Sequence, residues 1–160
     1  LSLFDKIVSY AGKKVTYQDV ITNLNILDHD YYFKITENFM LEDSSSVLNA
    51  FNEIINNGFD GEMFLLGMAE HFRNLLISKD ERTVQLLEAA DDIKDKYFKQ
   101  ANLVNETFLL NALNVINQCD IEYKTAKNKR LHVELALLKV CFLNTQIESS
   151  LSILLGEKKN

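Results

Sequence analysis

The 160-residue sequence predicts an all-α fold, a bundle of helices, from three observations. It has no proline and five glycines, so the residues that punctuate β-rich folds are scarce and long helical registers run uninterrupted. Apolar residues recur at i, i+3, i+4 and i+7 through most of its length, the spacing that places them on one face of a 3.6-residue helix. At 47% hydrophobic and 25% charged, the composition is that of a globular domain with a core to fill. No repeat of 20 to 50 residues is found, which disfavours a solenoid.

The elements follow in order. Leu3, Phe4, Ile7, Val8 and Ala11 predict a first helix ended by Gly12, and Thr16 with Asp19 predicts the capped start of a second that carries Val20, Leu24 and Ile26. Residues 25–30 read as a linker ending in an Asp30 cap, the first plausible domain boundary. Tyr32, Phe33, Ile35, Phe39 and Met40 predict a helix ending near Glu42. Asp43 or Ser44 caps the next, which keeps Val47, Leu48, Phe51, Ile54 and Ile55 on one face until Asn57 and Gly58. Asp60 caps a third helix reaching Ile77, where Gly67 and Ala69 permit close helix contact. Residues 81–103 carry a weaker pattern, read as two modest helices. Asn105 caps a long helix bearing Phe108, Leu109, Ala112, Ile116 and Cys119, and the polar K-T-A-K-N-K turn follows.

From Asn128 a single helix is expected to run to about Leu155. At about 100° per residue it carries two apolar stripes, one of Leu131, Leu135, Leu138 and Phe142, the other of Val133, Ala136, Leu137, Val140, Leu143, Ile147 and Leu151. A surface helix needs one apolar face, so a helix with two is covered from both directions, either inside its own bundle or against another subunit. The first stripe is the more uniformly bulky and is expected to face inward. Arg130, Val133, Glu134, Leu137, Val140, Leu143 and Ile147 are then the candidate subunit interface, with Arg130 and Glu134 one turn apart as a possible ion pair.

Motifs of chemistry are scarce. His29, His71 and His132 are scattered outside any H-E-x-x-H or C-x-x-C setting, and there is no phosphate-cradling glycine loop and no G-x-S-x-G elbow. Cys119 and Cys141 fall in helical apolar patterns and read as buried reduced thiols. A net charge of -6 argues against a dedicated nucleic-acid surface, and the group Lys124, Lys127, Lys129 and Arg130 beside Tyr123 reads as a solvated turn at a helix C-terminus. Reduced thiols at Cys119 and Cys141 suggest a reducing, cytoplasmic setting; no apolar run is long enough to cross a membrane, and the first fifteen residues are unlike a secretory signal. An alternative reading is a helical enzyme or ligand-binding domain whose Glu70, His71, His132 and Glu134 converge only in three dimensions.

Three separated segments carry a resemblance. L-S-L-F-D-K at the start, then Gly12 and V-T-Y-Q-D-V at 15–20, resemble the end of the AAA+ lid in the gamma/tau subunit of bacterial DNA polymerase III. Asn38-Phe39, N-N-G-F-D at 56–60 and F-R-N-L-L at 72–76 are similar to that subunit's third domain, and N-K-R-L-H-V-E-L-A-L-L-K-V at 128–140 to its last collar helix, with Lys129 where the family often has proline. The resemblance spans essentially the whole chain. It implies residues 1–27 as the end of the lid, 28–156 as a helical collar or oligomerisation domain and 157–160 as a charged tail. It further implies partners among the clamp-loader subunits, namely gamma/tau copies, delta and delta prime. No cofactor is expected in this segment and no catalysis, since the family's ATP and zinc sites precede the position matched by Leu1.

Overall fold

The computed structural model describes residues 27–156, and the helices expected over 3–26, the lid assignment and the charged tail lie outside them. Among the described residues the chain is helical and contains no strand. The elements are α1 (His29–Met40), α2 (Ser44–Asn56), α3 (Gly61–Ile77), α4 (Glu81–Val84), α5 (Asp91–Leu103), α6 (Glu106–Glu122), a 3-10 turn (Tyr123–Thr125), α7 (Lys129–Cys141) and α8 (Leu143–Leu154).

Local chemistry sets the helix starts. Side-chain oxygens of Asp43, Asp60, Asn105 and Asn128 accept the N–H groups of Ser46, Met63, Thr107 with Phe108, and Leu131, satisfying donors that the first turn leaves free. The Asp43 carboxylate also takes the Ser46 hydroxyl at 2.6 Å, and these bonds hold its pKa below the usual carboxylate value. At α1 the expected cap is displaced: Asp28, not Asp30, accepts the Asp30 N–H at 3.2 Å, and the helix begins at His29. Gly58, at φ +92°, ends α2 with its N–H on the Ile55 carbonyl, the left-handed stop expected there. Over 81–103 the two modest helices become a single turn, α4, held by the Asp80 cap, and the full-length α5.

The bundle is built around α3, which packs most extensively against α6 and also touches α1, α5 and α7. Its buried Phe64, Leu65, Met68, Phe72 and Leu75 meet Phe108, Leu109, Ala112 and Ile116 of α6 and Phe39 and Phe51 of α1 and α2. Phe72 and Phe108 meet edge to face at 6.3 Å, and Phe51 lies 5.1 Å from Phe64, arrangements that aromatic quadrupoles favour. Gly67 permits α1 to close on α3: a Cβ there would fall 2.0 Å from the Tyr32 hydroxyl oxygen.

The helix expected over 128–155 is two helices. Phe142, at φ −104° and ψ 12°, ends α7 and begins α8 with no proline or glycine at the break. Beyond it Leu143 alone is buried in α8, so the last helix lies largely on the surface while touching α6 and α7.

Candidate subunit interface

The stripes of α7 face the opposite way to that expected. Val133, Leu137 and Val140 are fully buried, with Ala136, Cys141 and Leu143 nearly so, and they pack into the chain's own core. Leu131, Leu135 and Phe142 stand 50%, 48% and 42% exposed, and Leu138 is half-buried beside them. Bulk misled the assignment. α7 packs on α1, α2, α3 and α6 at once, and the shorter side chains Val133, Ala136 and Val140 allow its backbone to come close to these four neighbours. Leu131 and Leu135 are left outside, while Leu137 is the leucine buried with the slimmer residues. Of the seven residues expected at the interface, Val133, Leu137, Val140 and Leu143 are therefore core, while Arg130 is exposed and Glu134 and Ile147 are half-buried.

Arg130 flanks the exposed stripe. Its Nε donates to Glu134 Oε1 at 2.8 Å and its Nη2 to the Asn52 side-chain oxygen of α2 at 2.5 Å, so the expected pair exists and extends to a second helix. His132, on the other flank, is fixed to α6: its Nε2–H donates to the Cys119 carbonyl at 2.9 Å, and the Cys119 thiol points back at the His132 carbonyl at 3.8 Å. Burial pushes both thiols, Cys119 and Cys141, up to about 11, which leaves them protonated and inert at neutral pH.

The cations before α7 are largely engaged within the chain. Lys129 Nζ donates to the carbonyls of Tyr123, Lys124 and Ala126 at 3.2 to 3.3 Å and lies 5.3 Å from the Tyr123 ring centroid. It closes the carbonyl end of α6, where the helix dipole favours positive charge. Lys124 faces Glu62 at 3.9 Å.

The residues of the alternative enzyme reading are not brought together. His71 of α3 is buried and donates from Nε2 to Gln100 Oε1 at 2.8 Å, whereas His132 is committed to the Cys119 carbonyl. Among the described residues no group of three His, Cys, Asp or Glu side chains has a metal-binding arrangement. Two features had no sequence signal. Gln100 Nε2 donates onward to the Phe33 carbonyl at 2.9 Å, tying α3, α5 and α1 through His71. Thr145 of α8 donates its hydroxyl to the Glu42 carboxylate, 103 residues away.

Residues 15–153 match the family described as DNA polymerase III subunits gamma and tau domain III. The chain is 20% identical over 151 residues to DNA polymerase III subunit tau of Bacillus subtilis (strain 168). That similarity covers 94% of this chain and 27% of the relative, so the chain spans about a quarter of the length of the curated protein it matches. The matched domain is a non-catalytic part of gamma and tau, whose ATPase lies in other domains. With the family model covering most of the sequence, the chain belongs to the DNA polymerase III gamma and tau domain III family.

Proposed function

We propose that this chain is the subunit-assembly, or collar, domain of a clamp-loader gamma/tau subunit, which holds ATPase modules together in one ring during sliding-clamp loading in DNA replication. The observation that carries the reading is the row of exposed apolar side chains Leu131, Leu135 and Phe142 on α7, a helix whose opposite face is the core of the bundle. An apolar row on a rigid, many-sided helix suits a permanent neighbour better than solvent. In this reading residues 28–156 are the collar, 1–27 the end of the lid, and the neighbours are further gamma/tau copies, delta and delta prime in the cytoplasm. ATP and zinc bind elsewhere in the subunit, and the collar contributes by not coming apart while those modules move.

Leu135→Asp and Val140→Asp separate assembly from folding. Leu135→Asp is expected to keep the helical circular dichroism and the unfolding midpoint of the parent while lowering the mass of the assembly formed with delta and delta prime, measured by size-exclusion chromatography with light scattering. Val140→Asp is expected to unfold the domain, because it places a charge in a fully buried site. An unchanged assembly with folded Leu135→Asp contradicts the reading.

A further inference from the structure

The joint between α7 and α8 combines three features that ordinary packing does not require. The helix breaks at Phe142 although nothing in the sequence from Asn128 to Leu155 forces it: there is no proline, no glycine, and the apolar pattern continues through the break. Carried on as one helix, Ile147, Leu151 and Leu154 would extend the stripe begun by Val133, Leu137 and Val140. In the bent form Leu151 and Leu154 are exposed instead. Backbone hydrogen bonding reaches the joint, with the Phe142 N–H on the Leu138 carbonyl at 3.3 Å, and resumes beyond it with the Gln146 N–H on the Phe142 carbonyl at 3.1 Å.

The second feature is Glu42, at φ +52° the single non-glycine residue with positive φ among the described residues. An L-residue is held in the left-handed region only when its surroundings compensate. Glu42 is the residue after the Leu41 cap of α1, and the bonds of that turn, Asp43 N–H to the Asn38 carbonyl at 3.0 Å and Glu42 N–H to the Phe39 carbonyl at 3.1 Å, hold it there. The third feature is what its side chain does from that position. Thr145 Oγ1, one turn into α8, lies 2.7 and 2.9 Å from the two Glu42 carboxylate oxygens and donates to that carboxylate. The residue at the α1–α2 corner thus grips the start of a helix that otherwise buries one side chain.

We propose that Phe142 is a hinge and that the Glu42–Thr145 hydrogen bond is the latch that holds α8 in its bent position, with a straightened α7–α8 helix as the alternative state. The latch sets where the exposed leucines of α8 stand relative to the rest of the bundle, whether or not the domain assembles as proposed above.

The test uses spin labels at Asn49→Cys on α2 and Ile153→Cys near the end of α8, both exposed, in the full chain with Cys119→Ala and Cys141→Ala. Pulsed electron-resonance distances are expected to form one narrow population in this parent. Thr145→Val is expected to add a longer, broader population and to speed amide exchange across 143–155 roughly tenfold, with α3 and α6 unaffected. Thr145→Ser keeps the hydroxyl and restores the narrow distance. Glu42→Gly, which removes both carboxylate and strain, behaves like Thr145→Val. An unchanged distance in Thr145→Val overturns the proposal, as does faster exchange spread evenly over α3 and α6, which would make the bond part of the general fold.

Discussion

His71 shows how much a single side chain commits in this bundle. It lies among Tyr32, Phe33, Phe72 and Tyr97, with Nε2–H on Gln100 and Nδ1 buried without a partner. Burial pushes its pKa down from the ordinary value near 6.5 to about 4. The imidazole is therefore neutral in the folded chain and protonates more readily once unfolded. Its contribution to stability is fully present above pH 6.5 and is lost as the pH falls from 6.5 towards 4, a window worth on the order of 3 kcal/mol. Urea titrations across that range are expected to show a falling midpoint, and His71→Gln to flatten the dependence even if the variant is less stable at neutral pH. In the sequence His71 stands only as a histidine outside any metal or catalytic motif. Its burial depends on α1 and α5 closing over α3, contacts between residues 29 to 67 positions apart that no local pattern reports.

Among the elements, α2, α3 and α6 were legible because their caps and their apolar faces agree: Asp43, Asp60 and Asn105 stand where the periodic leucines, isoleucines and phenylalanines begin. The close approach of α1 to α3 at Gly67 was likewise visible as a small residue on an apolar face. Gly67→Ala is expected to destabilise the domain by about 1 to 3 kcal/mol, since the buried Tyr32 ring must move to admit the new methyl group, and thermal unfolding measures it. A paired Tyr32→Phe change, which removes the nearest atom, is expected to recover part of the loss. The orientation of α7 was not legible. Two stripes of comparable hydrophobicity leave the choice to how closely the backbone must approach its neighbours, and there the slimmer Val133, Ala136 and Val140 prevail over bulk. The break at Phe142 was hidden for a related reason, because it is fixed from outside the helix and not by a residue within it. Lys129, which stands where the resembling family often has proline, instead closes the turn after the preceding helix by binding the carbonyls of Tyr123, Lys124 and Ala126.

At the scale of the whole molecule the bundle has a core closed by α3 and α6 and an accessible apolar row on α7, bordered by the Arg130–Glu134–Asn52 bonds. Membership of the gamma and tau domain III family was carried by three separated motifs in order, which is why it could be read from the sequence while the interface residues could not. The family match does not by itself say which side of α7 looks outward. The proposed assembly role therefore rests on that one face. Hydrogen exchange of the domain alone and in complex with delta and delta prime tests it most directly, supported by side-chain footprinting of Leu131, Leu135 and Phe142. Slower exchange over residues 129–142 and loss of labelling at those three side chains on complex formation is the result expected; a complex that forms while all three stay as accessible as in the free domain contradicts the account.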